Sequence, residues 1–198
     1  ISDYPDIKLR GYVEGFYGYP WTFEQRASML EAVGKLKMNT YIYAPKDDPY
    51  HLANWREPYP EAEARELEEL AKIAHDNNID FVWSVHPGDT YNYNNDNDYN
   101  ALIAKFETLY DLGIRQFGIS YDDLGGSQSG ARHAGVINRV DKEWVQMKGD
   151  VKPLLTVGTR YAQDWGVNNY IELFLQAFED TETVVMWTGK STMSTVKR

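Results

Sequence analysis

Hydrophobic and polar positions along the chain follow two rhythms: short apolar or β-branched runs, and longer segments with apolar residues every three to four positions. The first short run lies near Leu9–Val13. A helix is expected to open at Thr22, because Thr22 and Gln25 have capping-box spacing and Met29, Leu30, Val33 and Leu36 follow at helical intervals. The second run is Asn39–Tyr43, and a Glu-rich helix from Pro60 places Leu67, Leu70 and Ile73 on one face. The third run is Asp80–Val85, followed by a polar Asn/Asp/Tyr segment and a helix near Ala101–Leu112. Gln116–Ser120, Pro153–Val157 and Thr183–Trp187 form the last three runs. Helical patterns near Ala131–Met147 and Asn169–Phe178 separate them.

Six strand–helix alternations with near-continuous apolar strands predict an α/β protein with a parallel sheet. The residues of unusual chemistry all follow strands: Glu14–Gly18, Ala44–Asp48, His86–Thr90, Asp122–Gly126, Gly158–Tyr161 and Trp187–Gly189. A (β/α)8 TIM-type barrel builds its active site from these loops. A doubly wound sheet would also bind there, but it needs a Gly-rich phosphate turn that Glu14-Gly-Phe-Tyr-Gly18 does not supply. The barrel is therefore the expected fold. At 198 residues the chain holds about six units as one domain over 1–198, against the roughly 250 residues of a full eight-unit barrel.

Composition narrows the partners. Thirty acidic against 20 basic residues give a net charge of −10, which disfavours nucleic acid and anionic membrane surfaces. No stretch approaches the roughly 20 apolar residues of a membrane span. With no cysteine, disulfides and thiolate metal sites are excluded. Fifteen Tyr and six Trp, several among Gly, Pro and Asp, suit sugar faces as well as ordinary cores. The chain starts at Ile1, which fits a processed or excised piece.

Asp122 and Asp123 close the fourth strand in Ser120-Tyr-Asp-Asp-Leu-Gly-Gly126. Two carboxylates this close do not ionise independently, which suits one of them to donating a proton. The same pair could cap a loop, or bind a divalent cation together with Asp48. Adjacent residues cannot straddle a glycosidic bond as two separated carboxylates do, since that geometry needs about 5 Å or more. A glycosidase built on this pair would take its nucleophile from elsewhere, and a 2-acetamido group on the substrate can serve.

The segments Gly11-Tyr-Val-Glu-Gly-Phe-Tyr-Gly-Tyr-Pro-Trp21, Asn39-Thr-Tyr-Ile-Tyr-Ala-Pro-Lys-Asp-Asp48 and Tyr121-Asp-Asp-Leu124 closely resemble glycoside hydrolase family 84. Trp55-Arg-Glu-Pro-Tyr59 and Val185-Met-Trp-Thr-Gly189 resemble it too, so the likeness runs along nearly the whole chain. That family holds O-GlcNAcases and bacterial β-N-acetylglucosaminidases, some described as hyaluronidases. The resemblance implies retaining removal of β-linked N-acetylglucosamine through an oxazoline intermediate, without metal or organic cofactor. Asp122 would hold the acetamido N–H, and Asp123 would act as general acid and then base. Tyr161 would hydrogen-bond the acetamido oxygen, while Gly15 (through its carbonyl) and Lys46 would bind sugar hydroxyls.

Each role has a plainer rival: a solvated loop cation for Lys46, packing for Tyr161, a positive-φ turn for Gly15. His51, His75, His86 and His133 show no metal-ligand spacing and are expected to be structural or superficial. Trp187 is expected to pack in the barrel, and Tyr17 and Trp21 to support the first loop. The chain departs from the family at His86, Gly158 and Arg160, where a small residue, a Pro and a Glu are usual. It also stops where the family barrel continues with two strands bearing further sugar contacts. The alternative expectation is thus a barrel fragment that binds acetamido sugars, or assembles with itself through open sheet edges, with little turnover. The partner implied is an N-acetylglucosamine-bearing glycan or glycoprotein, and the expected location is secreted or cell-surface bacterial.

Overall fold

The computed structural model describes residues 4–165, 169–179 and 181–195. Six parallel strands run in chain order: β1 (Gly11–Glu14), β2 (Thr40–Tyr43), β3 (Asp80–Val85), β4 (Gln116–Ser120), β5 (Leu155–Val157) and β6 (Val184–Met186). Each pairs in parallel with the next. Helices α1 (Phe23–Lys35), α2 (Glu61–Asp76), α3 (Asn97–Asp111), α4 (Gly130–Val140) and α6 (Tyr170–Gln176) make the return crossings. This is an incomplete TIM-type barrel, a half-barrel of six consecutive parallel strands joined by five helical crossings among the described residues.

Local chemistry sets the helix boundaries. Thr22 Oγ1 accepts from the Gln25 N–H at 3.3 Å and Gln25 Oε1 accepts from the Thr22 N–H at 2.9 Å, the expected reciprocal cap of α1. Helix α2 buries Leu67, Leu70, Ala71 and Ala74, which moves Ile73 to the margin of the face. Helix α3 begins at Asn97, four residues before the expected start, because Asp98 and Tyr99 are buried with the apolar stripe. The segment expected as one helix to Met147 is interrupted. After Val140 it widens into a π-type turn over Asp141–Val145 and ends in α5 (Gln146–Lys148) at Gly149, whose φ is 76°. That turn keeps Trp144 buried against Phe106 and Phe117, at ring separations of 5.3 and 5.0 Å.

Strand alternation divides the sheet into two faces. Tyr41, Tyr43, Phe81, Trp83, Val85, Phe117, Ile119 and Tyr121 form the helix-side core with α1 to α4. Ile42, Val82 and Leu155, with Val184 and Met186, form a smaller cluster on the inner face. Ser84 and Ser120 share a 2.8 Å hydrogen bond on that face. The same parity, continued past the strand ends, carries Lys46, His86 and Asp122.

Candidate active site

Loops leaving the carboxyl ends of β2, β4 and β5 bring four of the five expected site residues together. Lys46 Nζ donates to Asp122 Oδ2 at 2.9 Å, its side chain 9 % exposed and that of Asp122 21 %. The Tyr161 hydroxyl donates to Asp123 Oδ1 at 3.0 Å. Burial, and then the hydrogen bond to Asp123, push the Tyr161 phenol up to about 12. Asp122 thus faces the β2 side of the mouth and Asp123 the β5 side. Adjacent residues diverge in this way because Asp123 has a left-handed φ of 56°, which breaks the strand alternation at the corner.

Tyr161 is held from behind. Its carbonyl accepts from the Thr188 N–H at 3.0 Å and the Thr188 hydroxyl at 3.1 Å, and its ring lies 4.8 Å from Trp165. Lys46 sits 5.9 Å from the Tyr17 ring centre. Tyr17 itself is 75 % exposed, so it is not the loop support expected of it; Trp21 takes that part by packing edge-on against Tyr12 and Phe16. Trp187, expected to pack, stands 46 % exposed at the end of the edge strand β6.

Gly15 follows the last residue of β1 and makes no hydrogen bond to the carboxylate pair among the described contacts. It has no positive φ, which removes the turn explanation; a Cβ there would meet Val13 Cγ1 at 3.3 Å. Its position is fixed by Glu14. That carboxylate is fully buried, accepts from Arg26 at 2.8 and 2.9 Å, and also accepts from the Tyr41 hydroxyl.

Asp48 does not join the pair. Its carboxylate accepts from the hydroxyls of Tyr43 and Tyr59 at 2.9 and 2.6 Å and from the Tyr50 N–H at 2.7 Å. Turned into that phenol cage, it cannot share a cation with Asp122 and Asp123.

A family profile described as beta-N-acetylglucosaminidase matches residues 10–198. The chain belongs to this family, within glycoside hydrolase family 84. The chain is 32 % identical to the protein O-GlcNAcases of Mus musculus and Rattus norvegicus, covering 94 % of itself and 21 % of each relative. It therefore spans about a fifth of the length of those curated relatives. The solved family 84 structure titled CpGH84B is 42 % identical with a TM-score of 0.88, over 94 % of this chain and 34 % of that one. CpGH84D is 36 % identical with a TM-score of 0.89, over 100 % and 34 %. A mutant of the Thermobaculum terrenum O-GlcNAc hydrolase is 29 % identical with a TM-score of 0.86, over 94 % and 42 %.

Two features of this family 84 site escaped the sequence reading. His86, expected to be structural or superficial, places Nε2 2.7 Å from the Asp122 carbonyl oxygen and 3.6 Å from Asp122 Oδ1. Its place after the third strand and its departure from the family pattern mark His86 in the sequence, but neither shows that its ring meets the Asp122 carbonyl. The second is a buried link beneath the site. Tyr121 stacks on His133 at 3.8 Å, His133 Nδ1 lies 2.7 Å from the Tyr170 hydroxyl, and that hydroxyl accepts from the Thr159 N–H at 3.1 Å. It joins the residue before Asp122 to the loop that carries Tyr161, across α4 and α6, and no linear spacing encodes it.

Proposed function

We propose that the protein is a retaining glycoside hydrolase that removes β-linked N-acetylglucosamine by substrate-assisted catalysis. The observation that carries this reading is the divergence of two adjacent carboxylates, each with its own partner: Lys46 on Asp122 and Tyr161 on Asp123. One carboxylate on each side of a shared mouth suits two different tasks on one acetamido sugar.

In this mechanism Asp122 accepts the acetamido N–H, so that the acetamido oxygen becomes the better nucleophile. That oxygen attacks the anomeric carbon as Asp123 gives its proton to the leaving glycosidic oxygen. The C–O bond breaks and an oxazoline forms with inverted configuration, its N–H proton held by Asp122 and returned to nitrogen when the ring opens. Asp123, now a carboxylate, takes a proton from water, whose oxygen opens the oxazoline with a second inversion; the net result is retention. Tyr161 steadies the acetamido oxygen, and Lys46 and the Gly15 carbonyl hold sugar hydroxyls. The O-GlcNAcase relatives point to β-linked N-acetylglucosamine on Ser or Thr, or a terminal residue of a glycan, as the substrate.

The test is hydrolysis of an aryl β-N-acetylglucosaminide with a poor leaving group by the whole protein. Asp123→Asn is expected to lower kcat by about 10²–10⁴-fold, the usual contribution of general acid catalysis. Unchanged turnover in that variant removes Asp123 from the proton transfer. An acetamido-oxazoline mimic that binds weakly to a protein without turnover would favour sugar binding alone.

A further inference from the structure

Asp122 and Asp123 share one peptide group: the carbonyl belongs to Asp122 and the N–H to Asp123. Whatever fixes that plane fixes the aim of both carboxylates. The left-handed φ of 56° at Asp123 costs a residue with a Cβ some energy, although Asp tolerates it better than most, so an anchor on the plane helps to hold it.

His86 supplies one. A carbonyl oxygen has no proton to give, so the 2.7 Å contact requires that Nε2 of the imidazole carry the hydrogen and donate it to Asp122. The residue that carries the ring is enclosed and its backbone is tied down. The residue is 9 % exposed, and its N–H donates to the His51 carbonyl at 2.8 Å. His51 is buried, with its ring nitrogens 2.8 Å from the Pro45 carbonyl and 3.0 Å from that of Ser84. Just below, the Ser84–Ser120 hydrogen bond ties β3 to β4. A hydrogen bond in so enclosed a place is of the same order as the cost of a left-handed φ, so its loss frees the peptide to turn.

We propose that His86 is a positioning residue, whose Nε2–H holds the peptide between Asp122 and Asp123 and so sets the divergence of the two carboxylates. The inference deepens the glycosidase reading and rests on it for its kinetic consequence, while its structural consequence stands alone.

The experiment compares His86→Ala with His86→Gln, whose amide can place a donor near the position of Nε2. His86→Ala is expected to lower kcat on the poor-leaving-group substrate by about 10- to 100-fold, the scale of a small misplacement of reacting groups, with KM changed by less than about threefold. His86→Gln is expected to recover most of that loss. In ¹⁵N–¹H spectra the Asp123 amide should shift in His86→Ala and return in His86→Gln, and in the unsubstituted protein the His86 ¹⁵N pattern should show hydrogen on Nε2. Turnover unchanged in His86→Ala, a glutamine variant no better than alanine, an Asp123 amide that does not move, or hydrogen on Nδ1 alone each overturns the proposal. If the unsubstituted protein cleaves no β-N-acetylglucosaminide yet the amide moves and returns, the positioning role stands and the glycosidase reading falls.

Discussion

Asp123 combines chemistry and strain in one residue. Its carboxylate faces Tyr161, while its backbone sits at φ 56°, which suits glycine better. Asp123→Gly should therefore stabilise the fold by up to about 1 kcal/mol while lowering turnover about as far as Asp123→Asn does. Paired urea-unfolding and activity measurements check this, and a less stable glycine variant would show that the hydrogen bond to Tyr161 outweighs the backbone strain. Lys46 belongs to the mouth of the site and not to solvent. Bonded to Asp122 with a side chain 9 % exposed, it is not a loop cation in solvent. Its ammonium neutralises the inner carboxylate and, in the proposed mechanism, offers its remaining donors to the sugar.

Among the elements, the pairing of β1 with α1 shows how a site loop is held. Helix α1 buries Arg26, whose guanidinium grips Glu14 at the end of β1 through three hydrogen bonds. The Tyr41 hydroxyl on β2 donates to the same carboxylate, so strand end, helix and neighbouring strand meet at one buried charge. Gly15 follows directly. Arg26→Met leaves Glu14 buried and uncompensated, and is expected to cost about 3–5 kcal/mol in urea unfolding. Adding Glu14→Gln should recover part of that loss, since the stranded charge is the larger penalty. A double variant no more stable than Arg26→Met would place the damage in lost packing.

Across the whole half-barrel, the link from Tyr121 through His133 and Tyr170 to Thr159 couples the two sides of the mouth through α4 and α6. Gly130 permits this approach, because a Cβ there would fall 2.3 Å from the Tyr170 carbonyl oxygen. Burial, with the nearby His86 adding, pushes the His133 imidazole down to about 4. The sign follows from linkage: between about pH 4 and the unfolded value near 6.5 the unfolded chain binds the extra proton, so stability present above pH 6.5 is lost as pH falls toward 4. At pH 5 the loss should be on the order of 2 kcal/mol. His133→Phe keeps a ring against Tyr121 but cannot titrate, so its urea midpoint should fall less between pH 7 and pH 5. Equal falls in the two proteins would show that His133 is not the group responsible.

The order and type of the elements were legible because each β/α unit repeats a local rule. Apolar strands, a capped helix at Thr22 and Leu67 and Leu70 on one helical face need only near neighbours to be recognised. The family motifs likewise marked Lys46, Asp122, Asp123 and Tyr161 without any knowledge of distance. What tertiary structure alone decided is where those side chains aim. The divergence of Asp122 and Asp123 depends on a positive φ and a histidine 36 residues away, and the fixing of Gly15 depends on a buried ion pair between strand and helix. The interruption of the long fourth helix goes with the packing of Trp144 against the Phe106–Phe117 pair, which helical periodicity does not register. Local pattern encodes which backbone forms, since propensity and capping act over a few residues. Aim, strain and buried pairing are set by groups that meet only after the strands align, so they belong to the fold.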